Sequence, residues 1–139
     1  LVSWPGLSTR EDLIELGGVA TTYSPYGAKV DSPPASIELI RHRLAGVQDE
    51  GSQLVAHIFS LAARDSERIL DLCAGPGGKA ALLSSIARQA GHTFIANEVS
   101  GARAALVKQG VQGAEDWIGD GRQVKEHGES VDAVLAEVP

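Results

Sequence analysis

The chain of 139 residues has one cysteine, no methionine and only 4% aromatic residues. A single thiol, Cys73, excludes an internal disulfide framework and any cysteine-rich zinc site. The histidines, His42, His57, His92 and His127, are scattered and lack ligand spacing, so no metal is expected. No apolar run approaches the roughly 20 residues that span a bilayer. The start, Leu1-Val2-Ser3-Trp4-Pro5, lacks the basic-then-apolar layout of a secretory leader. A cytoplasmic protein without a membrane partner is the expectation. A basic surplus is missing too: the formal net charge is −6. Nucleic-acid binders usually carry that surplus, because phosphate contacts supply most of their affinity. If RNA is the partner, the basic surface is expected mostly on other segments. With no methionine, and with Pro139 directly after an apolar run, the chain reads as an excerpt.

What is present suits one soluble domain, with an apolar fraction of 43%. Ser8-Thr9-Arg10-Glu11 reads as a capping box that opens a helix to about Leu16, stopped by Gly17-Gly18. Ala20 to Ser36 carries turn and linker signals, Ser24-Pro25-Tyr26-Gly27 and Ser32-Pro33-Pro34. The division expected is an accessory or linker segment, 1–44, and a main unit, 45–139. Asp49 is a plausible N-cap for a helix to Arg64, with Leu54, Val55, Ile58, Phe59 and Ala62 at helical spacing.

The pattern then alternates. Strands are predicted at Arg68–Ala74, Thr93–Val99, Asp116–Gly119 and Val131–Val138, with helices at Gly78–Gln89 and Gly101–Gln109. The last strand is a continuous apolar run of the kind covered on both faces. This alternation predicts an α/β fold with a mostly parallel sheet and helices on both faces, truncated after the fourth strand. Such sheets bind ligands at the carboxyl ends of their strands.

Asp71-Leu72-Cys73-Ala74-Gly75-Pro76-Gly77-Gly78-Lys79 follows the first of these strands and opens a helix. Its glycines permit a sharp turn and leave helix amides open to a ligand with an anionic end. A triphosphate-binding loop is excluded, since Cys73 stands where its first glycine would be and Ala80 replaces its hydroxyl. A dinucleotide fingerprint is disfavoured, because Gly75, Gly77 and Gly78 leave no third glycine in register. Glu98 ends the next strand about twenty residues on, where a carboxylate can take both hydroxyls of a ribose. S-adenosylmethionine and NAD each offer one. Gly119-Asp120-Gly121-Arg122 is a generic turn that in this fold borders an adenine. Arg103 supports Glu98 or is solvated. Trp4, Tyr23 and Tyr26 could stack on bases, though packing of the accessory segment explains them better.

Val47-Gln48-Asp49-Glu50-Gly51-Ser52-Gln53, the block from Leu70 to Lys79, Ala96-Asn97-Glu98-Val99, the turn from Gly119 to Arg122 and the run from Asp132 to Pro139 occur in that order. Together they resemble the Sun (Fmu) family of S-adenosylmethionine-dependent ribosomal RNA cytosine-5 methyltransferases. The resemblance covers roughly Leu44 to Pro139. It implies a Rossmann-like methyltransferase fold and an RNA partner, with 16S ribosomal RNA as the expected substrate. It also implies a cofactor site from Cys73, Ala74, Gly75, Pro76, Gly77, Gly78, Lys79, Glu98, Asp120 and Glu137.

In that site Glu98 would hold the ribose and Asp120 the adenine. Glu137 stands at the position of the family's aspartate beside cofactor and target base, one methylene longer. The family's two catalytic cysteines fall beyond Pro139, so no catalytic residue is assigned here. Cys73 reads as a small hydrophobe beside the cofactor, an inert thiol with a raised pKa. Two other functions compete: an NAD-binding oxidoreductase domain, and a non-catalytic RNA-binding module.

Overall fold

A computed structural model of the chain describes residues 1–123 and 130–137. Four strands form one parallel sheet: β5 (Arg68–Asp71), β6 (Thr93–Glu98), β7 (Glu115–Ile118) and β8 (Ala133–Leu135), in the order β7-β6-β5-β8. Register places Ile69 beside Phe94 and Ala133, and Asn97 beside Trp117. All four strands run the same way, so their carboxyl ends form one rim.

Alternation along the strands sorts side chains between two faces. Ile69, Phe94 and Ala96 join a core with Ala56 and Ala63 of α3 (Glu50–Ala62 and its C-cap), Leu82, Leu83 and Ala87 of α4 (Gly78–Ala90), and Val107 of α5 (Gly101–Gly110). Leu70, Ile95 and Trp117 point to the opposite face, with Leu72 and Val131 against them. Among the described residues, helices α3, α4 and α5 share the first face. No helix there is long and apolar enough to cross a membrane.

The segment before α3 is knitted into this unit. Strand β1 (Val2–Ser3) pairs antiparallel with β4 (Ala45–Gly46), and β2 (Val19–Ala20) with β3 (Ala28–Lys29). Val2 and Trp4 lie in the main core beside Ala56 and Ile69. The stretch read as linker thus holds one strand of a hairpin and a 3-10 turn, Pro34–Ser36, followed by the short helix α2 (Glu38–Arg41). Tyr26 packs on the core with its hydroxyl 3.4 Å from His57 Nδ1, while Tyr23 is exposed.

Three local expectations shift. The capping box of α1 (Arg10–Glu15) sits one residue later, on Thr9 and Asp12. The hydroxyl of Ser8 is already taken: it accepts from the Trp4 amide and donates to the Leu44 carbonyl at 2.6 Å. Helix α3 keeps its predicted cap, with Asp49 accepting from the Ser52 amide at 2.9 Å. Its buried side chains, however, are Gln53 and Ala56, while Val55, Ile58 and Leu61 are exposed. Strand β8 is only Ala133–Leu135 and Val134 is 47% exposed, so it is not covered on both faces. It pairs with β5 alone among the described strands. Val138, Pro139 and His127 lie outside the described residues.

Candidate functional site

The turn after β5 is anchored by its neighbours before any ligand arrives. Leu72 donates its amide to the Leu135 carbonyl, and Ala74 donates to Asn97, at 2.8 and 2.9 Å. Buried Asn97 uses its side-chain amide to reach the carbonyls of Leu72 and Gly119, at 2.9 and 3.2 Å. It thereby ties the turn after β5 to the turn after β7 across the strand between them. Gly77, at φ +108°, is the N-cap of α4 in a left-handed conformation that a side chain would strain. Gly75 is required by contact: a Cβ there would lie 2.1 Å from Glu98 Oε2.

Glu98 is 4% exposed, and its carboxylate is largely spoken for. Oε1 accepts from the Ser100 amide at 2.8 Å and from Arg103 Nε and Nη2 at 3.1 and 2.8 Å. Oε2 accepts from the Gly75 amide at 3.1 Å. A carboxylate offers about four acceptor positions, so Oε2 retains room for one more donor and Oε1 for none. Held this way, Glu98 can take one ribose hydroxyl without rearrangement rather than two. Arg103 is bound to Glu98 and not merely solvated.

Asp71 ends β5 at 3% exposure, accepting from the Cys73 amide at 3.2 Å. Burial, reinforced by the charges of Glu137 and Glu98, lifts its pKa to about 6 against the opposing pull of that hydrogen bond and of Lys79. Lys79, in the first turn of α4, pairs with Glu137 at 3.0 Å and so joins the glycine-rich turn to the segment after β8. Cys73 is only partly buried, yet desolvation and the nearby carboxylates of Asp71 and Glu98 push its thiol pKa up. That is the opposite of what a nucleophile needs.

Asp120 is placed differently. Its carboxylate lies in a fork of Arg122, accepting from Nε at 3.0 Å on both oxygens and from the Arg122 amide at 2.9 Å. Those hydrogen bonds hold its pKa down at about 2. A ligand amine reaches Asp120 only by displacing Arg122, whose side chain is 90% exposed.

The structure therefore gathers the turn from Cys73 to Lys79 with Glu98, Asp120 and Glu137 on one rim. It adds Asp71, Asn97 and Arg103, which are not among the cofactor-site residues that the family resemblance implies. Asp71 and Asn97 stand inside the motifs that carry the family resemblance, but only strand order shows what they touch. Two clefts open to solvent lie elsewhere: about 590 Å³ beside Asp12, Val30 and Leu39, and about 210 Å³ beside His57, Leu83 and His92. Neither includes a residue of the rim. No group of histidines, cysteines and acids among the described residues could hold a metal.

A cofactor with a ribose and an anionic end fits this rim. Nothing crowds the Cβ position of Gly78 within 4 Å at the start of α4, and Glu98 Oε2 keeps an acceptor position.

Comparison with known proteins follows the same line. Residues 58–139 match the model of a family described as 16S rRNA methyltransferase RsmB/F. Protein MT1451 of Mycobacterium tuberculosis, provisionally assigned as a methyltransferase, is 42% identical over 117 residues, covering 81% of this chain and 26% of that protein. Ribosomal RNA small subunit methyltransferase B of Sodalis glossinidius is 40% identical over 99 residues, covering 67% and 22%. The 28S rRNA (cytosine(4447)-C(5))-methyltransferase of Homo sapiens is 30% identical over 95 residues, covering 65% and 12%. The chain thus spans about a quarter, or less, of each relative. The crystal structure of PH0851 superposes with a TM-score of 0.79 over 99% of this chain and 34% of that one, at 21% identity, which speaks for the fold.

Proposed function

The chain belongs to the 16S rRNA methyltransferase RsmB/F family, and from that premise we propose that it carries the S-adenosylmethionine site of an enzyme forming 5-methylcytosine in RNA, with 16S ribosomal RNA as substrate. Residues 1–44 serve as the accessory segment and 45–139 as the cofactor-binding part. The observation that carries this reading is the rim itself: strand order β7-β6-β5-β8 lines up Asp120, Glu98, the glycine-rich turn and Glu137 along one edge.

When bound, S-adenosylmethionine supplies an electrophilic methyl group. The residues present here bind and orient. The turn from Cys73 to Gly78 admits the cofactor close to the backbone, and Glu98 Oε2 accepts from a ribose hydroxyl. Asp120 accepts from the adenine amine once Arg122 swings away. Lys79 fixes Glu137 beside the place of the target base, which must be presented unpaired for its ring face to be reached. Forming 5-methylcytosine also calls for a thiolate that adds to cytosine C6 and makes C5 nucleophilic. Cys73, the one thiol in these 139 residues, has a raised pKa and is not that group. The thiolate comes from elsewhere in the whole protein.

Titration calorimetry of the folded chain tests the assignment, with S-adenosylmethionine as ligand, NAD as control and Glu98→Ala alongside. Binding of S-adenosylmethionine alone, weakened by the substitution, is expected. Selective binding of NAD would overturn the reading.

A further inference from the structure

The charge of this chain is unevenly placed. From Leu72 to Ala114 the sequence holds a single acid, Glu98, out of 18 in the chain. That acid is buried and paired. The same stretch carries Lys79, Arg88, Arg103 and Lys108. It contains all of α4 and α5, so the described surface of this helix pair carries cations and no exposed carboxylate.

The fold concentrates these charges around the turn that links α5 to β7. Arg88, in the last turn of α4, reaches the turn: a Cβ on Gly113 would meet its Cδ at 3.7 Å. Lys108 lies in the last turn of α5. Arg43, 66 residues away in sequence, donates a guanidinium hydrogen bond to the Gln109 carbonyl, and Gln112 Nε2 donates back to the Arg43 carbonyl at 3.2 Å. All three cations are exposed. Neither Arg88 nor Lys108 has an ion-pair partner among the described residues. Of the acids that follow, Glu115 is taken up by Arg68 at 3.4 Å, which leaves Asp116 to offset three cations.

A capping role explains only part of this. Cations beside the last carbonyls of a helix are favourable by themselves, and one guanidinium hydrogen bond caps α5. It leaves most of the five donors of Arg43 unused, and Arg88 belongs to another helix. The three cations gather at the edge of the sheet where its strands begin, opposite the rim, because α4 and α5 both run back from the rim. Along α5, Lys108 lies about 7.5 Å of helix rise from Arg103, which grips Glu98 at the rim.

We propose that Arg43, Arg88 and Lys108 form a phosphate-contacting surface that holds a part of the substrate RNA remote from the target base, at the edge of the sheet opposite the cofactor rim. The inference rests on the methyltransferase reading for the identity of the polyanion. Phosphate contacts are sequence-independent and read through their salt dependence, because each one releases counterions.

The test is fluorescence anisotropy of the chain with a fluorescein-labelled single-stranded RNA of mixed sequence, over a series of salt concentrations. The variants are Arg88→Gln, Lys108→Gln and the pair; Arg43 stays intact because it caps α5. Each single change is expected to make the slope of log K against log salt shallower by about 0.7, and the pair by about 1.4. Arg64→Gln, on an exposed arginine outside this surface, should leave the slope unchanged, and far-ultraviolet circular dichroism should show all variants equally folded. An unchanged slope in the pair, or no RNA affinity in the unsubstituted chain, overturns the surface. S-adenosylmethionine titration of the same samples keeps the two readings apart. Normal cofactor binding with an unchanged RNA slope rejects only the surface, whereas absent cofactor binding rejects the site.

Discussion

The ends of β6 and β7 carry the same signal in the sequence, an acid just where a strand stops, and the structure treats them in opposite ways. Glu98 is almost fully buried and is held by two backbone amides as well as Arg103. Asp120 is partly exposed and is held mainly by a neighbouring arginine that is itself 90% exposed. Backbone donors belong to the fold and cannot rotate away, whereas an exposed side chain exchanges its partner for water at little cost. Glu98 is therefore preorganised for a ligand, and Asp120 must be released to one.

The largest effects should come from breaking the β6 end. Glu98→Ala leaves two amides and a guanidinium without their acceptor. We expect S-adenosylmethionine affinity to fall by about 10- to 100-fold, in line with loss of a charge-assisted hydrogen bond of roughly 1.5–3 kcal/mol. Gly75→Ala should act from the other side, since its Cβ cannot coexist with Oε2 at 2.1 Å. A loss of cofactor affinity approaching that of Glu98→Ala, read by the same calorimetry, would bear this out.

A third strand-end acid sharpens the contrast. Asp71 is buried like Glu98 but forms no ion pair with a cation among the described residues, and its pKa stands at about 6. The folded protein therefore holds this proton more tightly than the unfolded chain, whose carboxyl titrates near 3.9. Its contribution is fully present below pH ~4 and is lost as pH rises through about 6, by up to roughly 3 kcal/mol. Asp71→Asn can still accept from the Cys73 amide. It should raise stability at pH 8 and leave it unchanged at pH 4; urea melts at both pH values would decide this, and equal shifts at both would refute it.

A smaller effect is expected from Arg103→Ala, about 3- to 10-fold in cofactor affinity, taking a partly exposed pair at roughly 1 kcal/mol. If Arg103 acts only by orienting Glu98 toward a ribose, the loss should vanish when the ligand lacks ribose hydroxyls. It should also be partly rescued by Arg103→Lys. The smallest effect belongs to Arg122→Ala. Freeing the Asp120 carboxylate should leave the melting temperature unchanged and raise cofactor affinity by about twofold or less. A marked loss instead would place Arg122 itself on the ligand.

Much of the rim was legible because it is local. The glycine-rich turn, the Asp49 cap and the strand and helix alternation each depend on residues close together in the chain. What failed depended on distance. The apolar spacing of α3 named Leu54, Val55, Ile58, Phe59 and Ala62; of these Phe59 packs against the core, yet the buried positions are Gln53 and Ala56. Gln53 is satisfied there by donating to the carbonyls of Leu1 and Gln48. The capping box slipped by one residue because the Ser8 hydroxyl found Leu44, 36 residues away.

The sequence by itself determined the parallel α/β class, the nature of the turn after β5 and which acids end which strands. Spacing and residue type control these directly, through backbone freedom and hydrophobic period. Only the tertiary structure decided how those acids are used: Glu98 clasped against Gly75, Glu137 paired with Lys79, Asp120 covered by Arg122. It also decided that Arg43 joins Arg88 and Lys108 at the end of α5. Hydrogen bonds and ion pairs act over about 3 Å, and which groups come that close is set by strand order and helix packing.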